Sequence, residues 1–350
     1  MSLSEPPWGA VAALNPRARR DVLAAERSTW EPGDGGRRTS MRRGLEWVRP
    51  VSGAAIVAVL LWQVGVAPLL AAVARLDAGS LALACSVAAM STVCSAWRWV
   101  LVARGLGVAL PVRSAVAACY RSQFLNLALP GGVLGDVHRG VRHGRDVSDV
   151  GKGLRSVVWE RSAGQVVQMT VAIPVLLLLP SPLGAWLPAA GVALLAGALA
   201  AVVATALLVR VGRIGAPALL RTWRAALTEL REGVLGPRTW PGVVGASAVA
   251  VAGHVGVFVI AARLAGSSAT TLRLLPLAMF VLLAMTLPLN IGGWGAREGA
   301  SAWAFGAAGL GAAQGFAVAV VYGVLVLAAA LPGAVVLLGA WSRAGAGRHA

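Results

Sequence analysis

Apolar residues in this chain come in long uninterrupted blocks instead of alternating with polar ones at the period of a half-buried helix or strand. Blocks at 51 to about 74, 81–103, 157–179, about 186–209, 241–262 and 312–338 each exceed 20 residues. That is enough for a helix to cross a hydrocarbon core of roughly 30 Å, so these are predicted to be six full spans. Two further blocks break the pattern. Residues 114–129 are interrupted by Arg121, Gln123 and Asn126 and run into Pro130, Gly131 and Gly132, while 274–287 runs into Pro288, Asn290, Gly292, Gly293 and Gly295. Each break is followed by charges, Gly135-Asp136-x-x-Arg139 in the first and Arg297-Glu298-Gly299 in the second.

Sixteen helical residues rise only about 24 Å, so 114–129 is predicted to be one arm of a re-entrant hairpin. The second break is drawn the same way; making 272–289 a full span is the competing drawing. The chain then reads as two spans, an inner-face hairpin and a span, followed by two spans, an outer-face hairpin and a span. The predicted fold is an all-α polytopic membrane bundle, with about six full spans and two Pro/Gly-broken re-entrant hairpins in an inverted-topology repeat. Its halves are about 50–180 and 186–340. Between them, Leu219, Leu220, Trp223, Leu227, Leu230 and Val234 recur at helical spacing beside Arg221, Arg224 and Arg231, which predicts an amphipathic linker helix over about 218–234.

Composition agrees with the pattern: 57% of residues are hydrophobic and 13% charged. A net charge of +17 could suggest nucleic acid, but the basic residues lie between apolar blocks, where the positive-inside rule already accounts for them. No nucleic-acid partner is expected. Residues 1–49 hold nine arginines and six acids with scattered Pro and Gly, the composition of a disordered basic cytoplasmic tail. A short tail over 341–350 ends with Arg343 and Arg348, so both termini are predicted on the cytoplasmic side of a multi-pass protein of the cell inner (cytoplasmic) membrane. Cys85, Cys94 and Cys119 fall in apolar blocks, and His138, His143, His254 and His349 lack ligand spacing. Neither a metal nor a cofactor is expected, and His254 reads as an interior histidine.

The candidate chemistry lies at the two breaks. Proline removes a backbone donor and glycine permits positive φ, so each break frees N–H and C=O groups that cannot face lipid. Freed donors beside a helix N-terminus favour an anion such as the phosphodiester of a lipid headgroup. Charges at membrane depth cost about 2.5–3.5 kcal/mol each on insertion scales, so Glu160, Arg161, Arg297 and Glu298 need partners or water. They either meet a ligand or pin the halves together. Asp136 and Arg139 can pair at i,i+3 if their segment is helical, and Asn126 and Asn290 cap freed backbone or line the same site. No nucleophile elbow, P-loop or HExxH occurs, so no enzymatic activity is expected.

At these residues the sequence resembles the lysylphosphatidylglycerol synthase transmembrane-region family of flippase-like integral membrane proteins. The carriers are Asn126, Leu129-Pro130-Gly131-Gly132 with Gly135-Asp136-x-x-Arg139, the Glu160-Arg161 pair, and Pro288 through Gly292-Gly293-x-Gly295-x-Arg297-Glu298-Gly299. The resemblance runs from about 51 to 338 and departs at Trp294, where the family usually has a smaller residue. It implies a module that translocates phospholipid or lipid-linked sugar through a central polar cavity. Its substrate-binding residues would then be Asn126, Asp136, Arg139, Glu160, Arg161, Asn290, Arg297 and Glu298, with membrane lipids as partners. The alternative is a non-transporting scaffold for a separate glycosyltransferase or lipid-modifying enzyme. The best-understood relatives add a soluble aminoacyltransferase domain; this chain is expected to lack it, so synthase activity is not carried over.

Overall fold

The structure, a computed structural model, describes residues 77–129, 132–181, 216–286 and 295–346. The predicted tail 1–49, the predicted spans 51–74 and 186–209, and the break residues Pro130, Gly131, Pro288, Asn290, Gly292 and Gly293 lie outside the described residues, as does Trp294. What is described is all helical. In chain order the helices are α1 (Ala78–Gly105), α2 (Val112–Ala128), α3 (Leu134–Asp146), α4 (Val150–Leu178) and α5 (Ala216–Glu229), the last continued by a π turn at Leu230–Val234. There follow α6 (Trp240–Leu264), α7 (Thr271–Ala284), α8 (Ala296–Ala307) and α9 (Ala312–Ala346).

Local chemistry explains several of these boundaries. Asp77 caps α1 by accepting the Ser80 N–H at 2.5 Å, and Asp149 caps α4 by accepting the Lys152 N–H at 2.9 Å. The Asp149 cap starts α4 seven residues ahead of the predicted 157, so Lys152 and Arg155 ride on its first turns. Four helices among the described residues are long and apolar enough to cross a membrane: Ala78–Gly105, Val150–Leu178, Trp240–Leu264 and Ala312–Gly339. The last continues through Pro332. By contrast α7, with 14 residues, rises only about 21 Å.

Long helix, two short helices, long helix is the order of α1–α4, and α6–α9 repeat it. In each set the short helices run antiparallel. Gly135 of α3 packs on Ser122 and Asn126 of α2, while Arg139 lies farther along against Cys119, its Nη1 3.6 Å from the sulfur. On the other side Phe280 of α7 meets Trp303 of α8 with ring centroids 5.3 Å apart, and Arg273 Nη2 reaches the Ala308 carbonyl at 3.4 Å. The leading helices α1 and α6 are themselves antiparallel: Gly242 lies over Leu101, Ser247 meets Arg98, and Gly253 lies against Ser91. The remaining packing keeps the correspondence, since α4 packs on α7 as α9 packs on α2.

The main apolar cluster joins α6, α7 and α9 through Phe258, Leu277 and Tyr322, with Ala172 of α4 at its edge. A second cluster, built around Trp99, ties α1 to α2. Helix α4 is turned inside out relative to a soluble helix. Val158, Val166, Met169, Ile173 and Leu177 form its exposed face, whereas Glu160 is only 1% exposed. That polarity places apolar side chains outside and charge inside, as a lipid environment requires.

Candidate functional site

Five charged side chains from α1, α3 and α4 meet in one network. Glu160 of α4 is its centre: Oε1 accepts from Arg98 Nε at 2.9 Å and from Arg98 Nη2, and Oε2 accepts from Arg139 Nη2 at 2.5 Å. Arg139 also donates from Nε to Asp136 Oδ1 at 2.9 Å, the i,i+3 geometry of a helical pair. Arg161 Nη2 closes the set on Asp136 Oδ2 at 2.6 Å. Helix α2 completes the shell of Asp136, with Ser122 Oγ donating at 2.9 Å and Asn126 Nδ2 at 3.1 Å.

The hairpin geometry is what brings α3 this close. Asn126 Oδ1 accepts the Gly135 N–H at 2.8 Å, which satisfies one of the orphan donors at the start of α3. Only glycine fits at 135, because a Cβ there would overlap the Ser122 carbonyl. Behind the network, Trp99 lies under the Arg139 guanidinium, 4.7 Å from ring centroid to Cζ, and its indole donates to Ser156 Oγ at 3.0 Å. Arg98 reaches the second half through Nη1, which donates to Ser247 Oγ of α6 at 3.1 Å.

The charges in this network do not cancel. Three guanidiniums, of Arg98, Arg139 and Arg161, face two carboxylates, of Asp136 and Glu160. Arg98, Arg139, Asp136 and Glu160 are all buried, but the Arg161 side chain is 47% exposed, so the surplus positive charge has an open side. Going along α4 from Arg161, the same helical face carries Gln165, Gln168 and Ala172. Ala172 belongs to the inter-half apolar cluster, which fixes that face as inward. Gln165 Oε1 and Gln168 Nε2 are buried without a hydrogen-bond partner. A polar stripe thus leads from the charge network towards the middle of the bundle, and its unmet donor and acceptor suit water or a polar headgroup.

The second hairpin is built differently. Glu298 Oε2 accepts the Gly295 N–H at 2.6 Å, turning its carboxylate back over the start of α8, where Arg297 Nε donates to Oε1 at 2.9 Å. Gly295 has φ 106°, a conformation that favours glycine. Arg297 and Glu298 are both buried, and the Arg297 guanidinium lies 5.8 Å from the Tyr322 ring centroid of α9. The Tyr322 hydroxyl lies 3.3 Å from His254 Nδ1, which partners the histidine read from sequence as interior.

Of the residues singled out from sequence, Asn126, Asp136, Arg139, Glu160 and Arg161 converge, and Arg297 and Glu298 form a separate pair. Gly132, with φ 63°, and Gly135 shape the first turn, and Gly295 the second. Asn290 lies outside the described residues. Arg98 is the largest omission of the sequence reading, which did not single it out. It lies within α1 and is 7% exposed. Its signal was a lone arginine inside an apolar block. Gln165 and Gln168 were also passed over, although they stand four and seven residues after Arg161. Among the described residues no group of three or more His, Cys, Asp or Glu is placed to hold a metal.

An all-helical bundle with apolar faces outward and a buried network of charges is a multi-span membrane protein. The chain belongs to the lysylphosphatidylglycerol synthase TM region family, whose sequence profile matches residues 47–333 and so takes in both halves. No curated protein and no solved structure matches it. Membership makes this a membrane protein of lipid metabolism or translocation.

Proposed function

We propose that the protein moves a lipid, either a phospholipid or a lipid-linked sugar, between the leaflets of the cytoplasmic membrane, and that the α3–α4 charge network receives the headgroup. The observation that carries this reading is the surplus guanidinium of the network, half exposed at Arg161 and continued inward by Gln165 and Gln168. An uncompensated arginine at membrane depth is costly, whereas a phosphate completes it through bidentate hydrogen bonds. The antiparallel relation of α1 and α6 supports an inverted repeat whose hairpins enter from opposite faces. Rocking of one half against the other would then expose the stripe to each leaflet in turn. In this reading both termini are cytoplasmic, and the protein carries out no covalent chemistry of its own.

The test is leaflet-resolved transfer of headgroup-labelled phosphatidylglycerol in reconstituted vesicles. Arg161→Gln should slow transfer at least tenfold while leaving the detergent-solubilised protein folded, and Arg139→Ala should slow it further. Wild-type rates in a folded Arg161→Gln variant that also carries Gln165→Ala and Gln168→Ala would sink the proposal. Absence of transfer by wild type, together with co-purification of a glycosyltransferase or lipid-modifying enzyme, would favour a scaffold instead.

A further inference from the structure

A second cationic feature sits beside the network but opens elsewhere. A cavity of about 230 Å³ lies where α1, α2 and α3 meet, between Trp99, Ser114, Arg121, Arg142 and His143, with Leu110, Ala117, Ala118 and Val336 forming its apolar wall. Two of the lining side chains are more than nine-tenths buried and still incomplete. Arg121 is 6% exposed and its Nε has no hydrogen-bond partner; His143 is 5% exposed and its Nε2 has none. Buried polar atoms in folded proteins are nearly always paired, and a guanidinium N–H left without an acceptor forfeits a charge-assisted bond. Both residues line the same cavity, where a bound group could bring the acceptor that each lacks.

The charge of the lining indicates what that is. Arg139 contributes to the wall, but its own bonds go to Asp136 and Glu160. Arg121 and Arg142 are then opposed by Asp146 alone, leaving the cavity positive. The donor-bearing residues sit on two helices, Ser114 and Arg121 on α2 and Arg142 and His143 on α3, with Ser114 and Arg142 at the exposed rim. A carboxylate offers two oxygens in one plane, whereas a tetrahedral phosphate offers three or more oxygens in three dimensions and so can use donors carried by different helices.

We propose that this cavity is a phosphate-binding site, separate from the central network, in which Arg121 and His143 hold the buried oxygens and Arg142 closes the rim. It does not depend on translocation and would serve a scaffold equally well. The phosphate comes either from a lipid headgroup, with its glycerol against the apolar wall, or from a soluble phosphorylated compound.

Full-length protein in dodecyl maltoside, which contains no phosphate, separates these sources. Inorganic phosphate, dihexanoyl-phosphatidylglycerol and dihexanoylglycerol would be titrated in parallel, following thermal unfolding and the fluorescence quenching expected from Trp99. Saturable binding of inorganic phosphate assigns a soluble ligand, while binding of phosphatidylglycerol alone assigns a headgroup. In either case Arg121→Gln should weaken binding by roughly tenfold or more, Arg142→Gln by a few-fold, and Arg113→Gln, an exposed arginine outside the cavity, should not change it. Should Arg121→Gln fail to fold, Arg142→Gln and Ser114→Ala carry the same test from the cavity rim and the exposed first turn of α2. The proposal is overturned if neither phosphate compound binds, if dihexanoylglycerol binds as well as the phospholipid, or if the cavity variants that fold bind like wild type.

Discussion

The two hairpins share an outline and differ in where their charges find partners. In the first, Asp136 and Arg139 reach out of α3 to α2 and α4, and through Glu160 the network extends to Arg98 of α1 and from there to Ser247 of α6. In the second, Glu298 folds back on Gly295 and meets its counter-charge on the neighbouring residue. One hairpin is tied into a net-positive network spread over several helices; in the other, Arg297 and Glu298 bond as chain neighbours. The same order of long and short helices therefore carries different chemistry in the two sets, with three guanidiniums facing two carboxylates in α1–α4. Substitutions around the two hairpins should have unequal consequences.

The largest inequality is expected between the two glutamates. Glu160→Gln removes the negative charge shared by Arg98 and Arg139 and puts an NH2 donor in place of one acceptor oxygen, with both guanidiniums still buried, and should cost at least the upper end of the about 3–5 kcal/mol typical of a broken buried pair. Glu298→Gln removes the carboxylate from a single guanidinium, that of Arg297, which still faces the Tyr322 ring, so its cost should sit nearer the lower end of that range. Thermal unfolding in mild detergent measures both. Equal losses would mean that the first network is no more interdependent than the second pair.

Glycine contacts give a smaller contrast. Gly135→Ala forces α3 away from the Ser122 carbonyl and should destabilise by about 1–3 kcal/mol. In α8 of the second hairpin, Gly306→Ala places its Cβ at an ordinary 3.5 Å from Ala312 and should be close to neutral. The same unfolding series reads this difference, and a tolerated Gly135→Ala would show that the α2–α3 approach has slack.

Among the charged residues of the network, the smallest effect on stability is expected at Arg161. Its ion pair with Asp136 is half exposed, so Arg161→Gln should cost less than about 1 kcal/mol, while transfer in vesicles falls. A variant that lost stability and transfer together would recast Arg161 as a structural pin.

Much of the frame was legible in the chain because its causes are local. Span length follows from uninterrupted apolar runs, and the predicted blocks 81–103, 157–179, 241–262 and 312–338 each correspond to a long helix. The first turn was marked by Pro130 through Gly132, where Gly132 takes a positive φ. The i,i+3 pair of Asp136 and Arg139 was also within reach, since helical spacing alone brings such residues together.

Pairing between helices was not legible. From the sequence, Glu160 and Arg161 either meet a ligand or pin the halves together; neighbours on a helix point in different directions, and each found its charged partners on α1 or α3. Arg297 and Glu298 adjoin as well and do bond, because Glu298 is drawn back to the start of its helix by the Gly295 N–H. Arg121 read as a mere interruption of an apolar block, and only the fold shows that it lines a cavity shared with His143. Among the described residues, the sequence by itself determined the four long apolar helices and the break after α2, since both depend on residues close together in the chain. The tertiary structure decided which charges cancel and which stay available, because that depends on the faces that α1, α3 and α4 turn towards one another.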